Sequence, residues 1–329
     1  MILVTGAAGH IGNVLVRELL QDGERVRALI LPGEDISSLK GLEIEFCEGD
    51  VLDPGSLERA LRGVDYIYHL AGVISIMPGQ NELMRRVNVD GTLNVLAAAK
   101  KARVRRLVYT SSIHALSRDW KGKIDEKVPF DPCNQAGEYD RTKAQASLAV
   151  LQAVKEGLDA VIVCPTGVIG PYDYRGSEMG SLLRTWLRKR PHLLIEGAYD
   201  FVDVRDVARG QILACRNGRK GEVYILSGRS IKIMQMKQMV QDVIGRHSLT
   251  IKVPTWLARF GCAFTPWYYK LFKKIPKFTK YSIETVQSNS DISNRKAKKE
   301  LGYNSREMLE TIIDTVHWWL ACEERNRSH

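Results

Sequence analysis

Two side chains that can move protons, Tyr139 and Lys143, lie four residues apart in the segment 139–143. At the start of a predicted helix, this spacing puts the phenol and the ammonium on one face. A nearby cation favours the phenolate, so we expect Lys143 to lower the pKa of Tyr139 from its usual value of about 10. The pair is predicted to give a proton to, or take one from, a hydroxyl group bound beside it.

A serine hydroxyl supports this interpretation, because a Tyr-Lys pair alone is a common accident on helix surfaces. The predicted strand Arg106–Thr110 is followed by Ser111 and Ser112, and doubly wound folds place their chemistry at the carboxyl ends of strands. Ser112 is predicted to donate a hydrogen bond to a substrate oxygen whose charge changes during the reaction. His114, two residues further on, is either a substrate contact or a bystander.

A glycine-rich turn with the spacing GxxGxxG follows the first predicted strand and precedes a helix. Glycines in such a turn allow a sharp bend, a close backbone approach to a pyrophosphate and close packing of helix on strand. The free N–H groups at the helix N-terminus favour an anion. A dinucleotide is therefore predicted to bind at Gly6, Ala8, Gly9, His10, Ile11 and Gly12.

Two later strand ends extend the predicted dinucleotide site. Asp50 and Val51 follow the third strand, where the carboxylate could accept a bond from an adenine amino group and the apolar side chain could cover the ring. Capping of the next helix by Asp50 is an equally good interpretation. The fourth strand ends in Leu70, Ala71 and Gly72, and its small residues let the backbone approach a cofactor closely.

The choice between NAD and NADP stays open in the sequence. An acidic residue or an arginine at the end of the second strand normally makes that choice, but Ile30 and Leu31 stand there. Glu34 and Asp35 would repel a 2′-phosphate only if their loop folds toward the ribose. Arg27 would attract one only if it points outward.

Apolar strand-like runs alternate with amphipathic helical stretches through the first half of the chain. The alternation predicts an α/β fold with a doubly wound parallel sheet of the Rossmann type. We place a dinucleotide-binding domain at residues 1–164 and a smaller mixed substrate lobe at residues 165–329, with residues of about 200–215 returning to the first domain. The first predicted elements are Ile2–Thr5, Gly12–Gln21, Arg25–Leu31, Ile44–Glu48, Ser56–Leu61, Tyr66–Leu70, Asn88–Lys100 and Arg106–Thr110.

Composition narrows the class of protein. The chain has 329 residues, of which 44% are hydrophobic, and a net charge of +10. Its scattered cysteines lack metal-ligand spacing, so no metal site is predicted. Neither a signal peptide nor an apolar run of about 18 residues is recognisable, so a cytoplasmic protein is expected. The positive charge attracts anions in general, whether nucleotide phosphates, an acidic membrane surface or nucleic acid, and does not choose between them. No nucleic-acid partner is expected.

These motifs resemble, in type and order, those of the extended short-chain dehydrogenase/reductases, also called the NAD-dependent epimerase/dehydratase family. The resemblance spans nearly the whole chain and implies that Ser112, Tyr139 and Lys143 form a catalytic triad and that the protein is a homodimer. It also implies that Gly167 lies on the substrate side. Further implied cofactor contacts are Asn88, Thr110, Pro165 and Val168. The matching segments are 6–12, 49–50, 69–72, 88–92, 110–112, 139–143, 165–171, 201–208 and 296–303.

Departures from the family pattern indicate the branch. Dehydratases that resemble this chain carry Asp-Glu directly after the catalytic hydroxyl, where Ile113 and His114 stand here, so dehydration is not expected. Sugar-nucleotide epimerases usually carry an Asn in the loop where this chain has Gly167. Fewer polar residues are therefore present here to bind a nucleotide sugar. The chain is most similar to the 3β-hydroxysteroid dehydrogenase and dihydroflavonol reductase branches, which act on apolar ring alcohols or ketones.

Aromatic and basic residues crowd residues 253–280, among them Trp256, Phe260 and Arg259. Three interpretations compete: an aromatic lid over an apolar substrate, peripheral contact with an anionic membrane, or plain packing of the smaller lobe. Asp203 and Asp206, later in the chain than the triad, are expected to order a loop and cap a helix.

Three functions of different class compete. The first is an NAD(P)-dependent oxidoreductase that interconverts a secondary alcohol and a ketone on an apolar small molecule. The second is a sugar-nucleotide epimerase, which uses the same triad but returns the hydride to its own substrate. The third is a non-enzymatic redox sensor, against which the retained Tyr139 and Lys143 count. The best candidate for a partner-binding surface of such a sensor is the basic run Arg103, Arg105 and Arg106. Simple exposure of these residues to solvent accounts for the run equally well.

Overall fold

The computed structural model describes residues 1–74, 81–263 and 280–327. Seven strands form one parallel sheet: β1 (Ile2–Thr5), β2 (Val26–Ile30), β3 (Glu45–Glu48), β4 (Tyr66–His69), β5 (Arg106–Thr110), β6 (Ala160–Pro165) and, later in the chain, β10 (Val223–Leu226). Their order is β3-β2-β1-β4-β5-β6-β10, so the winding direction reverses between β1 and β4. The doubly wound α/β class is confirmed.

Helices cover both faces of this sheet because its strands are apolar on both sides. Leu3, Ile67, Leu107 and Ile162 point into one core, and the residues that alternate with them point into the other. One face carries α1 (His10–Gln21) and α7 (Val204–Asn217). The other carries α2 (Pro54–Ala60), α4 (Gly91–Ala102) and α5 (Glu138–Lys155).

The helix that the sequence placed at Asn88–Lys100 begins earlier than predicted. A short helix α3 (Asn81–Arg85) continues through one π-helical turn, Arg86–Asp90, directly into α4. Asn88 lies in the middle of that turn and is 1% exposed. Single π-turns inside helices are rare and often mark functional sites.

The smaller sheets and remaining helices follow β6 in the chain. A three-stranded sheet contains β7 (Gly167–Ile169), β9 (Ala198–Asp203) and β11 (Arg229–Lys232), and a parallel pair contains β8 (His192–Ile195) and β12 (Thr250–Val253). The helices are α6 (Glu178–Trp186), α8 (Ile233–Val243), α9 (Thr255–Ala263), α10 (Lys280–Gln287), α11 (Arg295–Leu301) and α12 (Met308–Arg327).

The second half of the chain returns to the main sheet more than once. Helix α7 packs against α1, β10 adds the seventh strand, and α11 packs against α7. The division into a cofactor domain at 1–164 and a substrate lobe at 165–329 stays a prediction. Within the residues described, none of the helices has the length and apolar character that crossing a bilayer requires. Of the aromatic-basic stretch, residues 264–279 lie outside the described residues.

Candidate active site

The three predicted catalytic side chains come from two neighbouring elements. Ser112 follows β5 and caps a short 3-10 turn, where its Oγ accepts a bond from the His114 N–H at 3.2 Å. Tyr139 is the second residue of α5, and Lys143 lies one turn further along the same helix. The Ser112 hydroxyl lies beside the phenol of Tyr139, close enough to lower its pKa. The fold therefore brings together residues that are 31 positions apart in the chain.

The expected lowering of the Tyr139 pKa by Lys143 is wrong for this arrangement. Burial raises the pKa of Tyr139 to about 12, while the hydrogen bond from Ser112 acts in the opposite direction. The ammonium of Lys143 is directed elsewhere, because its Nζ donates to the carbonyl of Thr110 at 2.7 Å and lies 3.5 Å from Tyr109 Oη.

Lys143 is a buried cation at the carboxyl end of β5. Its side chain is 6% exposed, and burial lowers its pKa to about 8. Gly72 lies beside it, since a Cβ on this glycine would stand 3.6 Å from Nζ and 3.1 Å from Asn88 Oδ1. A larger residue at position 72 would therefore crowd both the ammonium and the Asn88 amide at the end of β4.

Asn88 uses its amide to join two segments of the site. Its Oδ1 accepts from the Val73 N–H at 2.7 Å, and its Nδ2 donates to the Val73 carbonyl at 3.0 Å and to Thr142 Oγ1 at 3.1 Å. The chain after β4 is thereby tied to the catalytic helix. Direct contact of Asn88 with the cofactor stays a prediction.

The glycine turn leaves the N-terminus of α1 open for an anion. Gly9 caps the helix without a side-chain bond, and its first turn holds no acidic residue. The N–H groups of His10, Ile11 and Gly12 belong to the first turn, which has no acceptor within the helix. The His10 ring is used elsewhere, because its Nε2 lies 3.0 Å from the Pro171 carbonyl oxygen. His10 can therefore offer its backbone N–H to a cofactor.

Close packing explains two of the glycines. Gly6 has φ +68°, and a Cβ there would lie 2.8 Å from Ala71 N. A Cβ on Gly12 would lie 2.1 Å from the Gly6 carbonyl oxygen. The turn thus packs against the backbone of Leu70 and Ala71. The next residue, Gly72, lies beside the ammonium of Lys143. The residues fit a dinucleotide, whose pyrophosphate would meet the N–H groups of α1 and whose nicotinamide ribose would meet the ammonium.

The residues expected around adenine have structural partners of their own. Asp53, and not Asp50, caps α2 by accepting from the Gly55 N–H at 2.9 Å, so the capping interpretation of Asp50 is wrong. Asp50 Oδ1 instead accepts from the Leu52 N–H at 2.9 Å. Val51 is 5% exposed. Adenine contacts by Asp50 and Val51 stay predictions.

Val51 and Ala8 are both buried and contact neighbouring segments of the fold. A Cβ on Gly91 would lie 2.7 Å from Val51 Cγ2, so Val51 packs under α4. Ala8 is 2% exposed, and its carbonyl accepts from Ser38 Oγ at 3.0 Å. The glycine turn is thereby tied to the loop after β2.

The residues predicted on the nicotinamide side divide into backbone and packing positions. Thr110 supplies the carbonyl that holds Lys143, while its hydroxyl donates to Gln211 Oε1 at 3.1 Å. Pro165 ends β6, and Val168 lies in β7. Gly167 lies under two rings, since a Cβ there would stand 2.8–2.9 Å from Phe201 and Tyr199. Its role is to let these rings approach the strand.

An aromatic wall formed by His114, Tyr199, Phe201 and Tyr281 adjoins Tyr139. His114 stacks on Tyr199 with ring centroids 5.8 Å apart and lies edge-on to Tyr139 at 6.3 Å. Phe201 meets Tyr199 at 5.5 Å, and Tyr281 meets His114 at 5.8 Å. The sequence identified only His114, because the other rings come from β9 and α10, far along the chain.

A buried ion pair fixes the orientation of the His114 ring. Arg118 pairs with Asp140 at 2.7 Å and also donates to His114 Nδ1 at 2.8 Å. Burial lowers the pKa of His114 to about 3, so the ring is neutral and its Nε2–H donates to Tyr199 Oη at 2.9 Å. Tyr281 Oη donates to Asp140 Oδ1 at 2.8 Å.

Sequence reasoning missed a second buried histidine, His69 at the end of β4. Its Nδ1 lies 2.7 Å from Thr5 Oγ1, and its Nε2 lies 3.0 Å from Thr92 Oγ1, which itself donates to the Asn88 carbonyl at 2.7 Å. Thr5 Oγ1 accepts from the Ala71 N–H at 3.1 Å. This chain of bonds links the first strand to the π-turn. The i,i+4 spacing of Asn88 and Thr92 was the available signal.

The residues that could select between NAD and NADP are engaged in ion pairs. Arg27 binds both carboxylate oxygens of Glu45, so it is unavailable for a 2′-phosphate. Glu34 accepts from the Leu31 N–H at 2.9 Å and pairs with Arg175. A carboxylate and a guanidinium thus lie together at the end of β2.

The two aspartates outside the triad have the structural roles expected of them. Asp203 caps α7 by accepting from the Arg205 N–H at 2.8 Å. Asp206 accepts from the Arg306 N–H at 2.7 Å. Both expectations are confirmed.

Comparison with known proteins agrees with the fold and the motifs. The family model described as "NAD dependent epimerase/dehydratase family" matches residues 2–227. Over 320 residues, the chain is 35% identical to sterol demethylase protein B of Methylococcus capsulatus, covering 96% of this chain and 97% of that protein. A putative dihydroflavonol 4-reductase of Synechocystis is 31% identical over 324 residues, covering 96% and 93%. The solved structure of gox2253 has a TM-score of 0.84 and 31% identity, covering 98% of both chains. The chain therefore belongs to the NAD-dependent epimerase/dehydratase family and is an extended short-chain dehydrogenase/reductase.

Proposed function

We propose that the protein interconverts a secondary alcohol and a ketone on an apolar, ring-containing molecule, with a nicotinamide cofactor as hydride donor or acceptor. The observation that carries the proposal is that the fold places the hydroxyl of Ser112, which caps the turn after β5, beside the buried phenol of Tyr139, with Lys143 one helical turn away. When bound, the nicotinamide supplies or accepts the hydride. The chain's own residues must then hold the reacting oxygen and move its proton.

Each catalytic residue has a separate task in this proposal. Tyr139 takes the hydroxyl proton as the alcohol is oxidised, or returns it as the ketone is reduced. Ser112 donates a hydrogen bond to the same oxygen and limits the change in its charge. Lys143, held by the Thr110 carbonyl at 2.7 Å, would bind the ribose hydroxyls of the cofactor and so place the nicotinamide beside Tyr139.

The aromatic wall supports an apolar substrate of the steroid or flavonoid type. Its rings offer flat apolar surface beside the reacting oxygen, and Gly167 lets Tyr199 and Phe201 approach the strand closely. Tyr199 accepts its bond from His114, so its own proton can serve a second oxygen on the substrate. The two relatives carry names that refer to a sterol and to a flavonol.

The alternatives have less support from the residues. A sugar-nucleotide epimerase uses the same triad, but Gly167 stands where such epimerases usually carry an Asn, and aromatic rings lie beside Tyr139. A redox sensor would use the basic run after α4. There Arg105 pairs with Asp65 and Arg106 with Asp159, which is a structural use of those charges.

A cofactor-oxidation assay tests the proposed function. We expect the purified protein to oxidise NADH or NADPH in the presence of a steroid or flavonoid ketone, with loss of absorbance at the nicotinamide band. Both cofactors are tested because Glu34 and Arg175 lie together at the end of β2. Conversion of a UDP-sugar without net cofactor oxidation would instead support the epimerase.

The pH dependence of cofactor binding tests the role of Lys143. The pKa of about 8 means that Lys143 is a cation below pH 8 and loses its charge above it. We expect the Kd for NADH, measured by fluorescence titration, to rise about tenfold between about pH 7 and pH 9.5, as a hydrogen bond to a charged group is lost. Lys143→Arg, which keeps its charge, should give a flat profile. A flat wild-type profile would contradict the assignment.

We also propose a cytoplasmic homodimer. Helices α4 and α5 pack side by side and expose Leu93 and Leu148, which are 48% and 40% accessible. Such apolar side chains on adjacent helices suit an isologous contact with a second copy.

A further inference from the structure

A group of exposed apolar side chains lies around strand β12 and the start of α9. We call it the β12–α9 face and define it by Leu249, Ile251, Trp256 and Leu257, with exposed fractions of 65%, 44%, 70% and 46%. Monomeric proteins rarely keep such side chains clustered on their surface without a use. Leu193, the cross-strand partner of Ile251, is also exposed.

Only one side of α9 packs against the protein. Ala258 is buried and forms a small core with Ile195 and Ile283. With 100° between successive residues, Trp256 lies on the side of α9 away from Ala258, and Leu257 lies on a flank. Both large apolar side chains of the first turn therefore point toward solvent.

The charge around the β12–α9 face is strongly positive. In the described residues that form or flank β8, β12, α9 and α10 (188–196, 242–260 and 280–287), three acidic residues, Glu196, Asp242 and Glu284, stand against seven basic ones: Arg188, Lys189, Arg190, Arg246, Lys252, Arg259 and Lys280. In the sequence, residues 243–283 contain eight Lys or Arg and no Asp or Glu, within a chain of net charge +10. The excess of positive charge is thus concentrated in this part of the sequence.

We propose that the β12–α9 face binds the surface of a membrane that contains anionic lipid. Tryptophan and leucine side chains enter the headgroup and upper acyl region, while Arg and Lys contact the lipid phosphates. The charge selects this occupant over a second copy of the chain, because two copies of this basic face would repel each other.

Hydrogen bonds through α10 connect the β12–α9 face to the catalytic helix α5. Thr255 of α9 accepts a bond at 2.8 Å from Gln287 of α10. At its other end, α10 places Tyr281 against Asp140, the residue after Tyr139. An apolar substrate concentrates in membranes, so docking here brings the site to its substrate. This last step rests on the proposed function, whereas membrane binding itself does not.

Vesicle sedimentation tests the proposal without any substrate. We expect the protein to pellet with phosphatidylcholine vesicles that contain about 30% phosphatidylserine, to bind pure phosphatidylcholine at least about tenfold more weakly, and to be released by about 0.5 M NaCl. The double variant Trp256→Ser, Leu257→Ser should bind the anionic vesicles at least about tenfold more weakly. Trp120→Ser is the matched control, because Trp120 is 41% exposed outside the face, and it should bind like the wild type.

Three results would overturn the inference. They are the absence of binding to anionic vesicles, equal binding by the double variant, and loss of self-association in the double variant with vesicle binding unchanged. The last result would make a second copy the occupant. Tyr139→Phe should bind vesicles like the wild type, which separates this test from the proposed catalysis.

Discussion

Replacing Tyr139 with phenylalanine is expected to lower kcat by about a thousandfold, since positioned acid–base groups contribute about 10²–10⁴. The substitution removes only the phenolic hydroxyl, which lies beside Ser112. The ring keeps its edge-on contact with His114, so the fold and the aromatic wall should be preserved. The measurement is steady-state turnover with the ketone identified by the cofactor-oxidation assay.

Cofactor binding separates a catalytic role from a structural one. The Kd for NADH should change by less than about twofold in Tyr139→Phe, because the N–H groups of α1 and the Lys143 ammonium are untouched. Tyr174→Phe is the control, since Tyr174 is partly exposed and contacts Trp318 instead of the triad. Undiminished turnover by Tyr139→Phe would remove the basis of the proposed mechanism.

The sheet was predictable from the sequence because its strands are buried on both faces. Strands β1 and β5 occupy the ranges predicted, Ile2–Thr5 and Arg106–Thr110. Each is a short, mostly apolar run followed by glycine or hydroxyl residues, a local pattern that survives folding. The glycine turn and the Tyr139-Lys143 spacing were also predictable, because each is a pattern within a few consecutive residues.

The partners of the catalytic residues were not predictable in this way. Tyr281 reaches Asp140 across 141 positions, and no local pattern encodes such a contact. The direction of the Tyr139 pKa shift also depends on burial, since desolvation outweighs the opposing effect of the Ser112 hydroxyl. Spacing shows that a cation is close by, but the fold decides where the cation points.

Replacing Gly12 with alanine is expected to weaken NADH binding by about a hundredfold, or about 2.7 kcal/mol. The new Cβ would lie 2.1 Å from the Gly6 carbonyl oxygen and 2.9 Å from Ala7 Cα. Neither backbone atom can move freely, because Gly6 is itself pressed against Ala71. Helix α1 must therefore shift, which moves its N-terminal N–H groups away from the pyrophosphate. Overpacking of this kind should also lower the free energy of unfolding by about 1–3 kcal/mol.

Gly63→Ala separates the loss of the anion site from the general cost of replacing a glycine. Gly63 has φ +69° but nothing within 4 Å of an added Cβ, so this variant should lose about 1–2 kcal/mol of stability and bind NADH like the wild type. Denaturant unfolding and fluorescence titration measure the two quantities separately. If both variants lost stability while both kept full affinity, the GxxGxxG turn would be a packing device and the cofactor would have to be held elsewhere. A selective loss of affinity in Gly12→Ala would assign the pyrophosphate to the N-terminus of α1, because both substitutions add one methyl group but only the one at Gly12 meets the backbone of the glycine turn.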